Sequence, residues 1–149
     1  MRLSEQGLTL LKQSEGFRAR TYLDVVGIPT IGYGHRLLHP ESFPNGVDEA
    51  QAAEILLSDV RDAERAVERL VKVALTQGQF DALVDFTFNL GSARLASSTL
   101  LAELNRGQYA QASLQLMRWD HGHVDGKDVE LAALKARRLA EYALWHQAA

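Results

Sequence analysis

Residues 14–35 read Ser14-Glu15-Gly16-Phe17-Arg18-Ala19-Arg20-Thr21-Tyr22-Leu23-Asp24-Val25-Val26-Gly27-Ile28-Pro29-Thr30-Ile31-Gly32-Tyr33-Gly34-His35. Two β-prone runs, Arg20-Thr21-Tyr22-Leu23 and Pro29-Thr30-Ile31-Gly32-Tyr33, are separated by a turn around Val25-Val26-Gly27, which predicts a small hairpin. All three prolines (Pro29, Pro40, Pro44) and five of the eleven glycines (Gly16, Gly27, Gly32, Gly34, Gly46) fall between positions 16 and 46. The rest of the chain reads as successive helices. The expected class is therefore α+β, mainly α, with a small N-terminal β-lobe over about residues 16–46.

Downstream of this lobe, Asp48 followed by Gln51 is a capping box, and Leu56, Val60, Ala63, Val67 and Leu70 recur at alternating steps of four and three. That pattern predicts one long helix over roughly 49–72 with a single apolar stripe. Thr76 with Gln79 repeats the cap, and Phe80, Leu83, Val84, Phe86, Phe88 and Leu90 cover nearly every face before Gly91, as in a helix at the centre of a core. Ser97 or Ser98 can cap a helix ending near Gly107. A further helix runs to about Trp119, and a last one over roughly 129–146 has Leu131, Leu134, Leu139, Tyr142 and Trp145 among its apolar positions.

Composition closes off several functional classes. The 149 residues include no Cys, which excludes disulfides, thiolate metal sites and a thiol nucleophile. A net charge of −3 with no basic block lacks the electrostatic footprint of a dedicated nucleic-acid binder. No stretch approaches the ~20 apolar residues of a spanning helix, so stable membrane insertion is not expected. The N-terminus, Met1-Arg2-Leu3-Ser4-Glu5-Gln6, has no apolar signal core. No cofactor is implied.

What remains is acid chemistry around the hairpin. Glu15 closes the first helix before Gly16, Asp24 follows at the edge of the hairpin, and Thr30 lies on the second strand. A carboxyl at a helix C-terminus sits at the negative end of the macrodipole, which disfavours its anion and suits a proton donor. Spacing alone leaves the choice between catalysis and chance open.

The residues carry a resemblance that settles the expectation. The segment from Ser14-Glu15-Gly16 through Tyr22-Leu23-Asp24 to Pro29-Thr30-Ile31-Gly32-Tyr33-Gly34-His35 resembles the catalytic segment of phage lysozymes of glycoside hydrolase family 24. Gln79-Phe80-Asp81-Ala82-Leu83-Val84 with Phe86-Thr87-Phe88-Asn89-Leu90-Gly91 resembles that family's central-helix signature, and Arg137-Arg138 with Glu141 and Leu144-Trp145 its C-terminal one. Ala133 departs from the glycine common ahead of the double arginine. The resemblance implies one lysozyme-like catalytic domain over 1–149, with a helical lobe of about residues 74–149 plus the N-terminal helix, and glycan lying between lobes. It also implies hydrolysis of the β-1,4 bond between N-acetylmuramic acid and N-acetylglucosamine in peptidoglycan. Glu15 would protonate the glycosidic oxygen, while Asp24 and Thr30 hold a water on the opposite face of the sugar, giving inversion. Such a water requires carboxyls ~6.5–9.5 Å apart. A lytic transglycosylase needs no water site, so the presence of both Asp24 and Thr30 favours a hydrolase.

The resemblance further implies that Asn89 meets a sugar N-acetyl group and that Arg137 positions Glu15 and lowers its pKa. The plain alternatives are an ordinary C-terminal polar residue for Asn89 and, for Arg137, a solvated helix face shared with Lys135 and Arg138. His35 with His39, and His121 with His123 and Asp125, invite a metal reading, but no helix aligns either set. The expectation is no metal and a structural His35–Asp59 ion pair, with the His pKa raised and the Asp pKa lowered. For a phage endolysin without an export signal, the expected setting is a monomer held in the host cytoplasm until a holin-type pore releases it to the wall. Two other classes are open on the residues alone: a non-catalytic peptidoglycan-binding module, and a membrane-active protein using Lys135, Arg137 and Arg138. Both predict activity that survives loss of Glu15.

Overall fold

The computed structural model describes residues 1–124 and 126–148. The chain is mainly helical, with a small antiparallel sheet. Its elements run α1 (Glu5–Glu15), β1 (Arg18–Leu23), β2 (Pro29–Gly32), β3 (His35–Arg36), α2 (Glu49–Leu70), α3 (Gln77–Leu90), α4 (Ser92–Ser97), α5 (Thr99–Asn105), α6 (Tyr109–Gln115), a 3-10 turn (Leu116–Trp119), β4 (His121–Val124), β5 (Lys127–Glu130) and α7 (Ala132–Trp145). The chain forms two compact units, one of residues 11–62 and one of residues 1–10 with 63–149.

In the unit of residues 11–62, β1, β2 and β3 form one sheet in that order. Tyr22 pairs with Thr30, Leu23 with Pro29, Thr30 with Arg36 and Ile31 with His35, and the β1–β2 register shifts between Arg18 and Tyr22. The third strand was not expected; it is two residues long, too short for alternation to reveal. Ile31, Tyr33, Val47, Ala52, Leu56 and Val60 are buried, with Leu11 from α1. At roughly 1.5–3 kcal/mol for each large apolar side chain buried, this small core is what holds a Gly-rich segment in place. The capping box at the start of α2 is present: Gln51 N–H donates to Asp48 Oδ1 at 2.7 Å, and Asp48 N–H to Gln51 Oε1 at 3.0 Å. α2 stops at Leu70, two residues short of the expected end.

In the other unit, α3 is the hub. Its Thr76 capping box is complete, and Phe80, Ala82, Leu83, Val84 and Phe86 are buried together with Leu100, Leu101, Leu104, Ala112, Leu116, Leu144 and Trp145. Phe86 meets Trp119 edge to face at a centroid distance of 5.6 Å. Ser98, the second of the two expected caps, accepts from Leu101 N–H at 3.0 Å, and the segment before it is a separate short helix that sequence reading omitted. Two further expectations are corrected. The region before the last helix is a hairpin, β4 paired with β5, so α7 begins at Ala132 rather than near 129. Its strands, His-Gly-His-Val and Lys-Asp-Val-Glu, lack apolar alternation, while Gly126 takes the positive φ of the turn. Leu139, expected on the apolar face of α7, is half exposed, because buried Arg137, Arg138 and Glu141 occupy that face instead.

Candidate active site

Helix α1 ends on Glu15, and Gly16 follows at φ +71°, so the chain turns sharply and leaves the carboxyl at the helix terminus. The Glu15 carboxyl rests against Gly34: a Cβ built there would lie 3.0 Å from Glu15 Oε2. Gly34 itself has φ +74°, so both the space and the backbone require glycine. Beside it Tyr33 is buried, with the Phe17 ring at 5.5 Å and Lys12 Nζ over its face at 5.9 Å.

Asp24 and Thr30 are anchored on one residue, Ile28, through the peptide groups on its two sides. Asp24 Oδ1 accepts the backbone N–H of Ile28 at 2.9 Å and of Val26 at 3.0 Å, and Thr30 Oγ1 donates to the Ile28 carbonyl at 2.8 Å. Arg36, paired with Thr30 across β2 and β3, brings Nη2 to 3.3 Å from Asp24 Oδ2. The Ile28 N–H lowers the Asp24 pKa most; burial opposes it, and the Val26 N–H, Arg36 and the Gly27 N–H add to it. Asp24 is thus held as a carboxylate. Thr30 is buried, and its one proton is committed to Ile28, so its lone pairs are what it can offer.

His35 lies between two carboxylates. Its Nδ1 is 2.7 Å from Asp59 Oδ2 and its Nε2 is 2.8 Å from Glu41 Oε1. Burial draws the imidazole pKa down, but the hydrogen bonds to Glu41 and Asp59 and their charges outweigh it, leaving the pKa raised. Asp59 corrects the expectation: its pKa is raised, because burial outweighs the imidazole beside it. Glu41, more exposed, is lowered by its bond to His35 and then by the Leu38 N–H. Both ring nitrogens are taken, and among the described residues no group of three His, Asp or Glu side chains could hold a metal ion. Asp125, part of the second histidine set, lies outside the described residues.

On α7, the solvated-face reading of Arg137 does not hold. Arg137 is buried, with Nε and Nη2 each 2.9 Å from the two oxygens of Asp85 on α3. Arg138, fully buried over the Phe86 ring, donates to Asn89 Oδ1 at 2.9 Å and to Glu141 Oε1 at 2.6 Å. Burial raises the Glu141 pKa well above the ordinary range, and neighbouring Asp85 adds to the shift.

Residues 12–141 match the family described as phage lysozyme. The chain belongs to the phage lysozyme family. It is 38% identical over 148 residues to an endolysin of Acyrthosiphon pisum secondary endosymbiont phage 1, covering 99% of this chain and 100% of that one. Among solved structures it resembles the muramidase domain of SpmX from Asticaccaulis excentricus, with a TM-score of 0.91, 33% identity and 99% of both chains covered. It likewise resembles the endolysin of Escherichia coli O157:H7 phage FAHEc1, at a TM-score of 0.89, 36% identity and 98% and 94% coverage. As a phage lysozyme the chain is a glycoside hydrolase with a cell wall-degrading function.

Three groups around these residues were missed in the sequence of this phage lysozyme. Arg36 could have been found from strand pairing, had β3 been expected. Asp85 was visible, like Asp81, as a charge among the apolar residues of α3, and a buried charge demands a partner. Glu41 had no signal, because nothing in the spacing of an irregular segment shows which way it returns.

Proposed function

We propose that this chain cleaves the β-1,4 bond between N-acetylmuramic acid and N-acetylglucosamine in peptidoglycan, with inversion, and that Glu15, Asp24 and Thr30 are its catalytic residues. The observation that carries the reading is the shared anchoring of Asp24 and Thr30 on Ile28. Asp24 is a carboxylate and Thr30 has spent its proton, so both present acceptors. A water that donates one proton to each is left with its lone pair aimed away from them, as an attack on the anomeric carbon requires. Asp24 then takes the proton the water loses, and Glu15 delivers one to the leaving oxygen. The positive charge growing on the sugar ring is met by the Asp24 carboxylate.

In the same proposal Asn89, whose Oδ1 is held by Arg138, offers its amide N–H to an N-acetyl carbonyl. Arg137, oriented by Asp85, serves as the second glycan-side group. His35 and Asp59 serve as a structural pair. No described helix is long and apolar enough to cross a membrane. Storage in the host cytoplasm, release by a holin-type pore and action as a monomer complete the proposal, and no metal or cofactor has a step in it. The test is digestion of purified peptidoglycan by the native chain and by Glu15→Gln. New reducing ends with the native chain, and a rate at least about 10²-fold lower with the variant, are expected. Products carrying 1,6-anhydro ends, or wall lysis by the variant at the native rate, would overturn the reading.

A further inference from the structure

Glu41 does more than decorate the surface of its segment. Its Oε1 accepts from the backbone N–H of Leu38 at 3.1 Å and faces His35 Nε2 at 2.8 Å, so one carboxylate oxygen is held by two groups at once. On the opposite edge of the same imidazole stands Asp59 Oδ2, from α2. An imidazole held at one nitrogen can still swing about its side-chain torsions. Held at both nitrogens by groups from two different segments, it fixes the backbone that carries it. That backbone continues directly into Gly34, where the Glu15 carboxyl lies so close that a Cβ would stand 3.0 Å from its Oε2. The other end of the strip, Tyr33, is buried against Phe17. Tyr33-Gly34-His35 is thus a shelf under Glu15, pinned at one end by aromatic packing and at the other by the two-sided grip on His35.

We infer that Glu41 is a positioning residue for the reaction: by closing the second side of the grip on His35, it sets the height of the Gly34 backbone and so the placement of the Glu15 carboxyl. The inference rests on the reading of Glu15 as the acid. Glu41 touches no reacting atom and works only through His35. The charged groups that bear on this are Glu41 and Asp59 against the ring, Asp62 near Asp59, and Arg36, which is turned to Asp24. The grip is strongest while the imidazole is charged, and the raised His35 pKa extends that state toward neutral pH.

The test uses the full chain with purified peptidoglycan, comparing native, Glu41→Ala, Glu41→Gln and Glu15→Gln by kcat, KM and their pH dependence. A misplaced acid slows chemistry without weakening substrate binding, so Glu41→Ala should lower kcat about tenfold with KM within about twofold. Without Glu41 the His35 pKa falls, so the part of the alkaline limb of kcat that follows loss of the imidazole charge, rather than of the Glu15 proton, should move to lower pH. Glu41→Gln keeps an acceptor for the ring without the charge, so it should recover most of kcat while the limb still moves down. Circular dichroism at the assay temperature fixes the folded fraction. A native kcat with an unshifted limb in Glu41→Ala would overturn the inference, as would a loss no larger than the loss of folded protein. If Glu41→Ala does not fold, an unshifted limb in Glu41→Gln does the same. The two readings separate cleanly: an active Glu15→Gln sinks the acid assignment itself, whereas an inactive Glu15→Gln beside a fully active Glu41→Ala sinks the positioning role alone.

Discussion

A carboxylate that is to act as a base has to stay ionised and stay still, and at Asp24 one arrangement does both. The N–H groups that lower its pKa, from Ile28 and Val26, are also the ones that fix the turn. At His35 the same economy has a pH signature. A raised imidazole pKa means stabilisation that is complete below the ordinary His value and is lost as pH rises through the raised one. The lowered Glu41 pKa means stabilisation present above the ordinary Glu value and lost as pH falls through the lowered one. Asp59, being raised, binds its proton more tightly when folded and does not set the lower edge. Replacing His35 with Asn should therefore destabilise the chain most in mildly acidic solution and least in alkali. Thermal midpoints of both proteins at about pH 5.5 and about pH 9.5 check this, and an equal loss at both would contradict it.

Among the elements, the contact most exposed to a small change is the approach of α3 to α7. Gly78, in the first turn of α3, has the Leu144 carbonyl oxygen where a Cβ would go. That neighbour is backbone and cannot rotate aside. Gly78→Ala should cost about 1–3 kcal/mol from overpacking, offset by up to about 1 kcal/mol from the helix preference of alanine, and lower the midpoint by a few degrees. A thermal midpoint equal to or above the native one would show that the helices part freely. Helices were legible in the sequence wherever a cap and a stripe coincided, as at Asp48 and Thr76, because caps and periodicity report local backbone preferences. The β4–β5 hairpin and the short helix at Ser92–Ser97 were not, since neither carries an apolar rhythm of its own. The burial of Arg137 and Arg138 escaped for another reason: a charge reads as solvated unless its partners are known, here Asp85 on another helix for Arg137, and Asn89 and Glu141 for Arg138.

Taken over the whole molecule, three ordered motifs mark the family in the sequence itself, and the match over residues 12–141 bears that out. The motifs name which residue types recur, but they are silent on what holds those residues, and the Ile28 anchor and the Glu41 contact came only from the fold. The central claim is that water, activated by Asp24 and Thr30, attacks the sugar directly. It is tested most directly by following the anomeric protons of the first-formed product by NMR while purified peptidoglycan is digested, before mutarotation mixes the anomers. Direct attack by water from the face opposite the leaving group predicts the α anomer as the first product. A first product that keeps the β configuration would mean that the anomeric carbon was attacked twice, and would contradict the account.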